Sequence, residues 1–128
     1  KGHMAAPIDQ FKRKFEALGL TLPHIHKGWF EQTVPSALPD RISFALIDGD
    51  LYESTRHVLP YVYERMAPGA IGMIAVYYDA CVFPRKGIHP GYRSPGVKRA
   101  TDEFFADKPE KVSLLYANEY SNGYFRKK

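Results

Sequence analysis

The sequence predicts an α/β fold built on a largely parallel sheet. Two near-continuous apolar runs, ISFALID at 42–48 and AIGMIAVY at 70–77, have the length and composition of strands buried on both faces. Segments of helical spacing precede, separate and follow them, the pattern of a sheet covered by helices. The first run also ends abruptly at Asp48-Gly49-Asp50, and such sheets bind ligands beyond the carboxyl ends of their strands.

The elements follow in order. Ile8, Phe11, Phe15 and Leu18 recur at helical spacing, with Asp9 near the start and Gly19 just past the end, so 8–18 reads as a helix. Residues 23–27 (PHIHK) read as a short strand leading into Gly28-Trp29-Phe30, and 31–40, with two prolines, as a turn or short irregular helix. After the strand at 42–48, Ser54 and Thr55 open a helix that carries Val58, Leu59, Val62, Tyr63 and Met66 on one side. Pro60 lies inside it and is expected to bend or weaken it, and Ala67-Pro68-Gly69 to stop it. The strand at 70–77 leads into a proline- and glycine-rich loop over 80–95. Val97, Ala100 and Phe104 are spaced for another helix, ending before Pro109. Residues 112–117 and 122–126 read as two closing, antiparallel strands. The predicted order is α-β-β-α-β-α-β-β.

Composition bounds the function. A chain of 128 residues suffices for one domain with a modest core. Its 45% hydrophobic and 25% charged residues are ordinary for a globular domain. No apolar run approaches the roughly 20 residues that span a bilayer and no signal peptide is visible, so no membrane partner is expected. The net charge of +4 is scattered rather than gathered into a stripe, so no nucleic-acid partner is expected either. Cys81 is the only cysteine, which excludes an internal disulfide and points to a cytoplasmic setting. Lys1-Gly2-His3-Met4 reads as a cloning remnant, leaving 5–128 as the domain.

Several residues are candidates for chemistry. Asp48 and Asp50 project from a strand end, and Gly49 lets the backbone turn sharply between them. The same three residues also suit a plain strand-to-helix turn with a capping carboxylate. His57, one turn into the following helix, could act as a general base or be an ordinary surface histidine. Tyr77, Tyr78 and Asp79 leave the end of the second apolar run, where they could wall a substrate pocket or pack a loop. His24 and His26 alternate on a short segment and share a face, a weak metal signal.

GWF at 28–30, IDGDLYEST at 47–55, APG at 67–69 and PGVKRATDEFF at 95–105 follow one another as in the macrocin O-methyltransferase family, which the chain resembles from about residue 7 onward. The resemblance implies a Rossmann-like class I methyltransferase fold with a mostly parallel sheet and an antiparallel carboxyl-terminal hairpin. It implies S-adenosylmethionine as cofactor and, as substrate, a hydroxyl on a sugar or other natural product. It also implies that Asp48 ligates a metal beside the acceptor hydroxyl and that Gly28, Trp29 and Phe30 lie by the adenine. A Mg²⁺ held there would lower the pKa of the hydroxyl and orient it.

The chain departs from the family twice. Where the family has Asp-Asp-Tyr after its second strand, this chain reads MIAVYYDAC at 73–81; an ungapped count places Ala75 and Val76 there, and a gapped one brings in Asp79 as the second metal ligand. The family's amino-terminal half, with its glycine-rich strand-turn-helix, is absent, so the fold is expected to be truncated and the strand 42–48 to keep a bare edge. The expectation is therefore a chain that pairs with a second copy or works with a missing amino-terminal half. The alternative is a non-catalytic remnant of the same fold, serving association or binding.

Overall fold

A computed structural model describes residues 6–77, 95–115 and 121–128. The elements run α1 (Ile8–Ala17), α2 (Phe30–Ala37), β1 (Ile42–Ile47), α3 (Tyr52–Arg65), β2 (Met66–Ile74), α4 (Pro95–Phe105), β3 (Ser113–Leu114) and β4 (Gly123–Arg126). One sheet has the order β1-β2-β4-β3, with β1 parallel to β2 and β4 antiparallel to both β2 and β3. The mixed sheet and the closing hairpin are those expected from the sequence.

The side chains of the sheet sort into two faces by strand alternation. Ala45, Gly72 and Phe125 form one cross-strand row, and Ile47, Ile74 and Gly123 the next. These rows meet Val58, Leu59 and Val62 of α3 and Val97 and Phe105 of α4 in a single apolar core. Gly72 is required by close approach: a Cβ there would lie 2.3 Å from the Phe125 ring. The opposite rows are Phe44-Ile71-Arg126 and Leu46-Met73-Tyr124. No residue of these two rows belongs to the core.

Thr55 and Thr101 are fully buried because each hydroxyl turns back to a carbonyl of its own helix, Thr55 to Leu51 and Thr101 to Val97. Glu110 is buried too, and its carboxylate accepts from the Tyr63 hydroxyl at 2.7 Å and the Lys128 amide at 2.9 Å. Arg65 donates to the Pro35 carbonyl at 3.2 Å, tying α3 to α2.

Two sequence expectations need correction. Residues 23–27 form no strand; no strand of the sheet lies beside them, and an extended segment without a ladder partner is not held as one. The second strand begins at Met66 rather than at residue 70. Ile42 pairs with Met66 and Phe44 with Ile71, so Ala67, Pro68 and Gly69 are a bulge within the strand and not a terminator before it. Gly69 takes φ +84° there, and its amide donates to the Lys127 carbonyl. The helix α3 includes Pro60, as the sequence reading has it, on its exposed side, where water can satisfy the carbonyl that proline leaves without a donor.

Candidate active site

The site is built where β1 ends. Asp48-Gly49-Asp50-Leu51 carries the chain from β1 into α3. Gly49 is buried, and a Cβ on it would lie 2.9 Å from Ser54 Cβ and 3.4 Å from the Phe30 ring, so the glycine lets α2 and α3 close on the turn. The Thr55 hydroxyl lies 3.3 Å from the Gly49 carbonyl and 3.1 Å from that of Leu51, fastening the turn from inside the fold. Asp48 and Asp50 flank it, both exposed, with no hydrogen bond or ion pair to a described residue. A carboxylate held on a strand end without a described partner is suited to a ligand.

Trp29 and Phe30 enter from the other side. The Trp29 carbonyl accepts from the Thr33 amide and hydroxyl, both at 3.0 Å, which starts α2 at Phe30. Gly28 lets this segment lie against Thr33, whose methyl would sit 2.7 Å from a Cβ at 28. The Trp29 indole remains 73% exposed. Trp29, Phe30, Leu51, Ser54 and His57 line a cavity of about 300 Å³ between the first turns of α2 and α3, with Glu31 and Glu53 at its rim. His57 Nδ1 lies 2.7 Å from the Glu53 carbonyl.

The end of β2 is arranged differently. The Ala75 amide donates to the Ile47 carbonyl at 2.9 Å. Val76 then takes φ +57°, a left-handed conformation rare for a β-branched residue, and the chain turns inward. Tyr77 is buried against Gly123 and donates its hydroxyl to Asp102 on α4. Burial, the hydrogen bond to Asp102 and that carboxylate's charge all push the phenol far above its ordinary range, so Tyr77 is a neutral donor. Tyr78 and Asp79 lie outside the described residues.

The structure thus gathers Trp29, Phe30 and His57 around one cavity, beside the turn that carries Asp48, while Gly28 precedes it in the chain without lining it. Tyr77 is directed into the core. His24 and His26 are exposed and stand beside Pro7, Ile8 and Phe11 in a separate groove near α1. Among the described residues no group of three His, Cys, Asp or Glu side chains could hold a metal ion. Asp79, the second carboxylate expected of a metal site, lies outside the described residues. Two contributors were not singled out from sequence. Thr55 and Gly96 lie within the motifs quoted above, which give them no role of their own in the site; a Cβ on Gly96 would lie 2.7 Å from Tyr52 Cβ and 2.9 Å from its amide. The exposed Tyr52 hydroxyl donates to Glu103 at 2.6 Å, joining α3 and α4 beside the site.

A parallel strand pair with helices on one face, a closing antiparallel hairpin and a ligand turn at the first strand's carboxyl end define part of a class I methyltransferase domain. The O-methyltransferase NovP superposes with a TM-score of 0.68 at 25% identity, over 93% of this chain and 44% of its own. A methyltransferase-like protein of Streptococcus mutans, solved in complex with SAH, shares the fold at TM-score 0.63 and 18% identity, over 94% of this chain and 70% of its own. The chain belongs to the macrocin-O-methyltransferase family, whose profile matches residues 1–86. It is 37% identical over 91 residues to the 8-demethyl-8-(2,3-dimethoxy-alpha-L-rhamnosyl)-tetracenomycin-C 4'-O-methyltransferase of Streptomyces olivaceus, a match covering 69% of this chain and 34% of that protein. The chain spans about a third of the length of the curated relatives it matches.

Proposed function

We propose that this chain is part of an S-adenosylmethionine-dependent O-methyltransferase that acts on a hydroxyl of a sugar or other natural product. The observation that carries the reading is the placement of the Asp48 carboxylate, which has no partner among the described residues, at a strand end next to the cavity lined by Trp29 and Phe30. The names of the relatives support the reaction class. The cofactor would supply an electrophilic methyl on sulfonium sulfur. Asp48 would orient the acceptor hydroxyl and accept its proton, the base that methyl transfer to that oxygen requires. The sole cysteine supports a cytoplasmic setting, and no described helix is long and apolar enough to cross a membrane.

The bare face of the sheet and the open edge of β1 are taken, in this reading, by the rest of the methyltransferase domain. The competing reading, a non-catalytic remnant, draws on the same bare surfaces as sites of association. Methyl transfer by a longer form of the chain that includes the rest of the domain separates the two. Labelled S-adenosylmethionine should pass its methyl to a glycosylated acceptor, and Asp48→Asn should cut turnover by orders of magnitude at an almost unchanged melting temperature. Full turnover in Asp48→Asn, or no transfer at all, would overturn the assignment.

A further inference from the structure

The cavity between α2 and α3 has a one-sided chemistry. Its open aromatic surface is the indole of Trp29, and Leu51 and Phe30 add apolar wall. Nearly all its polar side chains accept hydrogen bonds. The carboxylates of Glu31 and Glu53 can only accept when ionised, and Ser54 has the one free hydroxyl. His57 belongs with the acceptors. Its Nδ1 sits 2.7 Å from the Glu53 carbonyl and 4.0 Å from the Glu53 carboxylate, both acceptors, so Nδ1 carries the proton. The lone pair of the neutral ring is then on Nε2, at the edge turned away from the helix backbone. A flat apolar face beside a row of acceptors complements a planar heteroaromatic ring that presents an amino group.

We infer that His57 is a specificity-determining residue of this cavity, accepting a hydrogen bond through Nε2 from the exocyclic amine of an aminopurine stacked on Trp29. The inference rests on the S-adenosyl reading above and deepens it. His57 shares its cavity with Trp29 and not with the core around Tyr77, and its fixed tautomer suits it to read a ring edge. A purine with a carbonyl in place of the amine would set acceptor against acceptor and lose that hydrogen bond.

Trp29 is the only tryptophan, so its fluorescence reports on this cavity alone. Adenosine, inosine and S-adenosylhomocysteine are titrated to millimolar concentrations into the chain as it stands. Adenosine and S-adenosylhomocysteine should change the emission, with adenosine preferred over inosine about tenfold, the value of one well-placed hydrogen bond. His57→Ala should abolish that preference while adenosine still perturbs Trp29, and His57→Gln, which keeps an acceptor, should restore part of it. Circular dichroism of each variant confirms that it is folded. An equal response to adenosine and inosine in the unchanged chain, a preference that survives His57→Ala, or no response to any of the three would overturn the inference. Its failure is separable from that of the methyl-transfer reading: loss of the preference with methyl transfer intact removes the role of His57 only, and a clear preference with no methyl transfer in the longer form removes the reaction only.

Discussion

The two faces of the sheet carry nearly the same kind of side chain and meet opposite fates. On one, Ile74 and Phe125 are 0% and 1% exposed, pressed under α3 and α4. On the other, Phe44 and Leu46 are each 56% exposed and Tyr124 38%. The strand β1 contributes to both, Ala45 and Ile47 inward, Phe44 and Leu46 outward. The helix α1 repeats the contrast at another scale. Its apolar stripe of Ile8, Phe11 and Phe15 follows helical spacing, yet no residue of α1 is buried. A strand patterned for burial on both faces, a sheet covered on one and an amphipathic helix with no buried residue are all accounted for, in the reading proposed above, by one further layer. The open edge of β1 agrees, for a groove of about 460 Å³ runs along it, lined by Ser43, Phe44, Leu46 and Val58. The site sits with the covered face, which explains why its turn is well packed while its ligand side stays open.

The largest test of this contrast is Phe125→Ala. The ring fills the space that Gly72 leaves and touches Phe105 and Tyr63, with centroids 4.6 and 6.3 Å away. Removing it should cost about 3–5 kcal/mol through lost burial and the cavity left behind. Urea unfolding should show a sharply lower midpoint. A small change would mean that the covered face is not the core of the chain.

Glu110 should come next. It is 2% exposed, and its carboxylate joins α3, through Tyr63, to the end of the chain at Lys127 and Lys128. Burial alone would raise its pKa, but the Lys128 amide, the Tyr63 hydroxyl and the Lys127 charge outweigh it and hold the group below its ordinary value. A folded pKa below the unfolded one contributes stability above the ordinary glutamate range, and that contribution is lost as pH falls through the lowered pKa. Glu110→Gln should cost about 1–3 kcal/mol near neutral pH and flatten the acid limb of the stability profile. An acid limb unchanged in the variant would assign the acid sensitivity to other carboxylates.

How far the sequence could be read follows the same division. The strand at 42–48, the helices around Phe11, Leu59 and Val97 and the closing hairpin were legible because their periodicity is local. The bulge at Ala67–Gly69 was not, since it exists only through the pairing of Met66 with Ile42, and Pro-Gly after a helix reads equally well as a stop. The expected strand at 23–27 failed for want of a neighbour, which no local pattern reveals. In the site, Asp48, Trp29 and His57 stood out by residue type and by resemblance, while Thr55 was legible only as a helix start. Its role depends on burial and on a carbonyl six residues away. Val76 gives no sign in sequence of its left-handed backbone, a conformation that β-branched residues rarely take.

Thr55 brings the contrast to the site itself, since its buried hydroxyl reaches the Gly49 carbonyl of the Asp48-Gly49-Asp50 turn. Thr55→Val keeps the shape and removes the hydrogen bond. It should cost about 1 kcal/mol and speed amide exchange at residues 49–51 more than in β1. Uniform exchange across the turn and the strand would show that the hydroxyl does not hold the turn.

The smallest effect on stability should come from the bare face, and there it is most informative. Leu46 packs against no element of the described core, so Leu46→Thr, which keeps a good strand former, should change the unfolding free energy of the chain by no more than about 0.5 kcal/mol. Its effect should appear in association. A row of Phe44, Leu46, Ile71 and Met73 next to an unpaired strand edge is a sticky surface when its intended cover is away. The chain alone should therefore sediment as a concentration-dependent mixture heavier than a monomer, and Leu46→Thr should shift it toward the monomer. In the longer form with the rest of the domain the balance should reverse. Leu46 becomes core there, and the same substitution should cost about 2 kcal/mol or more. A monodisperse monomer for the unchanged chain, with equal stability costs in both forms, would mean that the second face of this sheet is free by design and that the further layer does not exist.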